Sequence, residues 1–194
     1  MMKLIVGLGN PGKKYKNNRH NVGYLLLERY SNKADLSFKK RIKYDFIKIT
    51  DAIFIKPKTY MNRSGIAVTS VSSKYKFDDI LVVVDDVNLP LGEIRLRKEG
   101  GFGGHNGLRS IAEVLGYDEF KRLRIGVSIP EYKNLSDYVL SDFSQDELQI
   151  LEIVLNFSEA LLNEYLKKDF SGMLNYYSKS KESYSEQISK VQNQ

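Results

Sequence analysis

Residues 1–23 read MMKLIVGLGNPGKKYKNNRHNVG, and this stretch decides the fold. Lys3 to Leu8 is a near-continuous apolar run, the pattern of a strand covered on both faces. It runs straight into Gly9, Asn10, Pro11 and Gly12, and Arg19, His20 and Asn21 follow after a polar loop. Two readings compete. A strand delivers a glycine-rich turn that cradles phosphate, or a strand end presents an amide and an imidazole to a shared cleft.

The phosphate reading has a literal match, since Gly7-Leu8-Gly9-Asn10-Pro11-Gly12 fits G-x-G-x-x-G. A dinucleotide site also needs a helix that starts inside the motif and an acidic residue about 20 positions further on. Here polar residues follow Pro11 and Gly12, and the next helical stripe begins only near His20. Glu28 falls within that stripe, and Asp35 precedes no convincing parallel strand. A dinucleotide-binding oxidoreductase therefore stands as a minor alternative.

Outward from this stretch, Val22–Tyr30 reads as a helix, and residues 42–49 and 52–56 read as a β-hairpin. Ser64–Tyr75 reads as a helix with much Val and Thr. Ile80–Val84 is the strongest strand and stops at Asp85-Asp86. Glu93–Lys98 alternates as a strand with a wet, basic face, and 100–107 holds five glycines in eight residues. Leu108–Leu115 is helical with Gly116 as its C-cap, and Leu123–Ile129 is a strand stopped by Pro130. Ser144 and Glu147 make a capping-box pattern for a helix to Lys168, with Leu148, Leu151, Leu155, Leu162 and Leu166 on one stripe. From Ser178 the chain is polar, so 178–194 is expected as a frayed, mobile tail after a catalytic domain of residues 1–177. Alternating strands and helices with an early hairpin predict one α/β domain around a mixed sheet.

At 194 residues the chain is long enough for one sizeable core. No apolar run approaches the length that spans a bilayer, and the N-terminus does not read as a signal peptide. Cys is absent, which excludes disulfides, thiolate catalysis and Cys-ligated zinc and fits a reducing cytoplasm. The formal charge of +6 gathers into Lys13, Lys14, Lys16 and Arg19, then Arg95, Arg97 and Lys98, then Lys121, Arg122 and Arg124. Each cluster borders a candidate site segment, which favours a polyanionic substrate.

The chain has only two His, His20 and His105, each followed by Asn in a loop-like context. Imidazole is the natural general base near neutral pH. No His pair has helical metal-ligand spacing. Asp85 or Asp86 reads either as a solvated strand end or as the carboxylate that orients an imidazole. Asn10, Asn62 and Asn106 supply loop amides that donate to an oxyanion or accept from substrate N–H groups, if they are not simply turn residues. The 100–107 glycines admit a phosphate nest, a hinged lid or a plain loop. No Ser sits in a nucleophile-elbow pattern, so the residues favour a His-activated water.

Taken in series, LIVGLGNPG, RHNVG, KPKTYMNRSG, VVVDDVNLPLG, GGFGGHNGLRSI and RLRIGV resemble the bacterial peptidyl-tRNA hydrolase family over roughly residues 3–129. The resemblance implies a three-layer α/β/α domain that hydrolyses the ester between peptide and tRNA, without metal or cofactor, as a cytoplasmic monomer. It implies that His20 is the general base and Asp85 its orienting partner, with Asn106 positioning water and oxyanion. Asn10 and Asn62 would bind the peptide and the 3′ end, and Tyr15 and Met61 would line the cleft. Arg97, Arg124 and His105 would face the acceptor-stem phosphates. The family often carries an acidic residue where this chain has Asn88, and Lys where it has Arg97. A relative that only binds tRNA or another RNA, without catalysis, is the second alternative.

Overall fold

The computed structural model describes residues 1–128 and 134–193. Seven strands form one mixed sheet: β1 (Lys3–Gly7), β2 (Lys39–Lys40), β3 (Tyr44–Lys48), β4 (Ala52–Pro57), β5 (Asp79–Asp86), β6 (Ile94–Arg97) and β7 (Lys121–Gly126). Their order is β2-β3-β4-β1-β5-β7-β6. The four central strands are parallel, while β3 and β6 run antiparallel to their inner neighbours. Helices cover both faces: α1 (Val22–Lys33), α2 (Ser64–Ser72), α3 (Asn106–Leu115), α4 (Leu135–Val139), α5 (Gln145–Lys167) and α6 (Phe170–Gln192). This is the expected α/β/α layering. The hairpin, the capping box at Ser144 and the left-handed Gly116 cap are all present. The last strand ends at Gly126, short of the expected Ile129, which with Pro130 lies outside the described residues.

Period-2 alternation along the central strands divides the core in two. Ile5, Phe54, Leu81, Val83, Leu123 and Ile125 face α1, α5 and α6. Leu4, Val6, Ile53, Ile55, Val82 and Val84 face α2 and α3. Both faces are buried, which is why these strands read as unbroken apolar runs. Gly23 brings α1 unusually close to the sheet. A Cβ there would sit 2.5 Å from the Leu8 nitrogen and 2.6 Å from the Val83 carbonyl oxygen. Only glycine permits that approach, and it sets the turn carrying His20 directly over the ends of β1 and β5.

The glycine motif does not lead into a helix. A single 3-10 turn (Lys13–Tyr15) and a second (Arg19–Asn21) precede α1. The dinucleotide reading loses its anion-binding helix N-terminus, and Gly7 and Gly9 serve packing instead.

The expected polar tail differs most from what is seen. Helix α6 continues through Ser178 to Gln192 with no boundary there. Tyr184 and Ile188 are buried in the main core, and the Tyr184 ring stacks on Phe157 at 4.2 Å. The Tyr184 hydroxyl donates to the Gly92 carbonyl at 2.6 Å. Tyr177, Tyr184, Ile188 and Val191 recur at helical spacing, so a sparse stripe suffices to dock a polar helix. In α5, by contrast, Leu148 of the expected stripe is exposed at 38%. We expect Tyr184→Ala to cost about 3 kcal/mol, as large-to-small core changes do. Deletion of 178–194 should also lower the thermal midpoint, and chemical and thermal unfolding would show both. An unchanged midpoint in the deletion would restore the mobile-tail reading.

Candidate active site

A cleft of about 500 Å³ opens beyond the carboxyl ends of β1, β4 and β5. Its polar lining includes Asn10, His20, Asn62, Asp85, His105 and Asn106. Sites in open α/β sheets lie at strand carboxyl ends because loops from several strands converge there.

Alternation on β5 sends its last two carboxylates to different partners. Asp85 accepts from His20 Nδ1 at 2.9 and 3.0 Å, one contact to each oxygen. Asp86 accepts from Arg124 at 3.1 Å and from the Asn88 backbone N–H at 3.0 Å. A carboxylate can only accept, so the neutral His20 ring keeps its proton on Nδ1 and its lone pair on Nε2. Which nitrogen keeps a free lone pair is thereby set by the partner on the other side of the ring.

His105 completes the centre in a way the sequence does not announce. Its Nε2 lies 3.0 Å from the same Asp85 carboxylate. Its Nδ1 accepts the Gly107 and Leu108 backbone N–H groups at 3.1 and 3.4 Å, capping α3. The proton of this ring is therefore on Nε2. The expectation that His105 faces substrate phosphates is corrected here: its side chain is 7% exposed and turned onto Asp85. The two imidazole centroids stand 4.9 Å apart.

Burial of Asp85 disfavours its charge, but the two imidazoles, His20 before His105, outweigh it and hold the carboxyl well below the usual carboxylate range. For His20 burial lowers the pKa, yet the Asp85 charge and hydrogen bond more than offset it, so the ring titrates above its ordinary value. The three residues are also close enough to be weighed as metal ligands. Ligation through His105 Nε2 would place the remaining ring proton on Nδ1, against the Gly107 N–H. The donor set suits hydrogen bonds rather than an ion.

The loop carrying His20 is tied at both ends. The Asn21 side chain accepts from the Asn10 N–H (2.8 Å) and donates to the Asn10 carbonyl (2.9 Å). Arg19, counted above among anion-binding cations, is buried. It is paired with both Glu147 oxygens and lies over Tyr138 at 4.5 Å. It anchors the His20 turn to the start of α5 and is not available to substrate. Much of the third basic cluster is also committed. Arg122 is fully buried, Lys121 pairs with Asp79, and Arg124 holds Asp86 and the Gly101 carbonyl.

The Asn10 amide oxygen accepts the Met61 N–H at 2.8 Å, which leaves its NH₂ for the cleft. Tyr60, the residue before Met61, sits at φ 61° and ψ 159°, a region costly for any side chain. Tyr60, Val87, Leu135, Val139 and Leu140 line the cleft but were not singled out in the sequence. The Pro57–Met61 kink has no local signal beyond its proline, and α4 is too short to show a period. Asn62 and Asn106 are both exposed in the cleft lining, and buried Met61 packs against Gly107 at the start of α3. Gly103 and Gly104 take φ 58° and 77°, a consecutive left-handed pair that turns the chain back into His105. Tyr15 lies in the first 3-10 turn, outside the cleft lining, under the Lys14 ammonium. Arg97 is exposed on β6, also outside the cleft.

If His105 joins the α3 cap to Asp85, His105→Ala should speed hydrogen exchange at the Gly107 and Leu108 amides and cost about 1 kcal/mol. His105→Asn should restore protection of those amides, since Asn also caps. Equal protection in wild type and His105→Ala would remove the capping role.

The chain's relatives agree with one another. The sequence model of the peptidyl-tRNA hydrolase family matches residues 4–185. A peptidyl-tRNA hydrolase of Pseudothermotoga lettingae is 44% identical over 183 residues, covering 90% of this chain and 98% of the relative. One from Lactobacillus johnsonii is 40% identical over 185 residues, covering 91% and 100%. The crystal structure of peptidyl-tRNA hydrolase from Acinetobacter baumannii superposes with a TM-score of 0.79 at 33% identity, over 96% of this chain and 94% of that one. The match spans the fold, the cleft and most of α6, and the chain belongs to the peptidyl-tRNA hydrolase family.

Proposed function

We propose that this enzyme hydrolyses the ester joining a peptide to the 3′-terminal ribose of tRNA, with His20 as general base. The observation that carries the mechanism is the two-oxygen contact between Asp85 and His20 Nδ1, which leaves Nε2 basic toward the cleft. Water loses a proton to Nε2 as its oxygen attacks the ester carbonyl carbon. The tetrahedral oxyanion is met by the Asn106 amide. The C–O bond to ribose then breaks, and the imidazolium returns its proton to the departing 3′ oxygen. The products are a peptide carboxylate and tRNA with a free 3′ hydroxyl. Asn10 and Asn62 hold the peptide and the 3′ end, with Met61 as floor. An aminoacyl ester is already activated, so a base and an oxyanion donor suffice. General-base catalysis supplies roughly 10²–10⁴-fold, and one oxyanion donor roughly 2.7–4 kcal/mol.

Arg97 contacts backbone phosphate at the β6 edge, while Arg124 holds the glycine segment beside it. Phosphate contacts bind many tRNAs without reading their sequence. The substrate is made on the ribosome, so we place the enzyme in the cytoplasm.

His20→Ala should lower kcat by at least about 10²-fold while tRNA binding persists, and Asp85→Asn should lower it less. Cleavage of a peptidyl-tRNA should be unaffected by chelator. Wild-type turnover by His20→Ala would sink the mechanism, and binding without any release of tRNA by the wild type would favour the non-catalytic reading. Arg97→Ala should weaken binding across tRNAs and reduce the salt slope by about 1. An unchanged slope would put that phosphate contact elsewhere.

A further inference from the structure

Lys39, Lys40, Arg41 and Lys43 stand in a five-residue run interrupted only by Ile42. The fold makes this run the tip of the β2–β3 hairpin. Lys39 pairs with Phe46 and Lys40 with Asp45, and the Arg41 N–H donates to the Tyr44 carbonyl at 2.9 Å. All five residues are exposed, Ile42 to 94%. Four like charges on one tight turn repel, and none of the four forms an ion pair among the described residues. The one carboxylate on the hairpin, Asp45, is instead 3.3 Å from Lys58.

The tip is held in place rather than left to wave. The Lys58 N–H donates to the Lys43 carbonyl at 2.8 Å, and Lys58 Nζ donates to the Arg41 carbonyl at 3.0 Å. The Arg41 guanidinium lies 5.5 Å from the Phe46 ring centre. Fixed, unpaired cations suit a polyanion better than they suit mere solvation.

Position decides which polyanion. Because β3 runs antiparallel to β4, Tyr44 stands opposite Pro57, so the tip is level with the carboxyl end of β4. Tyr60 and Met61 of the cleft follow immediately on that side. Strand β3 is two places from β1, so at about 4.8 Å per place the tip lies roughly 10–15 Å from the cleft. Successive phosphates on one nucleic-acid strand lie only a few ångströms apart, about 3.4 Å along the axis in B-form DNA. A tRNA strand whose 3′ end enters the cleft would pass the tip within a few nucleotides. Arg97 lies on β6, at the opposite edge of the sheet.

We propose that Lys39, Lys40, Arg41 and Lys43 form a second phosphate-contacting surface for the tRNA beyond its 3′-terminal nucleotide, at the opposite edge of the sheet from Arg97. It rests on the hydrolase reading above for the identity of the nucleic acid. The hairpin contributes substrate affinity and takes no part in bond cleavage.

The test replaces all four cations with Gln and compares full-length peptidyl-tRNA with a peptidyl-adenosine ester that lacks the tRNA body. We expect KM for peptidyl-tRNA to rise about tenfold and the log–log salt slope to fall by about 0.7–0.9 per lost contact. The kcat should be unchanged, and the short ester should be cleaved as by wild type. Wild-type KM and salt slope in the variant would overturn the proposal. So would an equal loss on the short ester, which would signal general damage. A basic turn with an exposed Ile also fits an anionic bilayer. Loss of phosphatidylserine-vesicle binding with tRNA affinity unchanged would therefore overturn the proposal in favour of a membrane. If wild type fails to cleave peptidyl-tRNA, the hydrolase reading fails by itself. Filter binding of uncharged tRNA then decides the hairpin separately: weaker binding by the variant supports it, equal binding ends it.

Discussion

A fully enclosed carboxylate must find hydrogen-bond donors or give up its charge, and Asp85 finds them in two imidazoles. That demand shapes much of the molecule. Strand β5 carries Asp85 to the end of the sheet and, by alternation, turns Asp86 away to Arg124. Gly23 lets α1 approach closely enough for His20 to reach over from one side. The left-handed Gly103–Gly104 pair swings His105 in from the other. The carboxylate is met from two sides, and removing either imidazole leaves it one donor short.

The same sheet acts as a ruler for the substrate. In the proposed mechanism the chemistry sits above the central strands, where loops from β1, β4 and β5 meet. Lys39, Lys40, Arg41 and Lys43 stand exposed at one outer edge of the sheet, where a long polyanion has room to lie. Arg19 and Arg124, nearer the centre, are spent inside the protein. This separation lets tRNA affinity be supplied without placing a strong cation beside the His20 base, where it would depress the ring's basicity.

Much of this was legible in the sequence where one residue type has one physical use. The five apolar residues ahead of Asp85 read as a buried strand because nothing else tolerates that run. Asn10 and His20 were readable because a Gly-Pro turn cannot continue a helix. The roles of the two histidines were not separable. Nothing in His105-Asn106-Gly107 says which way the ring turns, and it takes the fold to show one imidazole capping α3 while touching Asp85. Arg19 looked like a solvent-facing cation because composition carries no burial, and its partner Glu147 lies 128 residues away. Helix α6 was missed because its apolar residues are few, though correctly spaced. The basic hairpin tip escaped notice because it lies outside the segments that carry chemistry.

The central claim is that Asp85 raises the basicity of His20 and that this ring is the catalytic base. Only the neutral ring accepts a proton from water, so activity falls as pH drops through the His20 pKa. The most direct measurement is the pH dependence of kcat/KM on peptidyl-tRNA for wild type and Asp85→Asn. The acid limb in wild type should lie above the ordinary His value of about 6.5. It should move to lower pH once the carboxylate charge is removed. An acid limb that stays in place in Asp85→Asn, or lies below the ordinary value in wild type, would contradict the central claim.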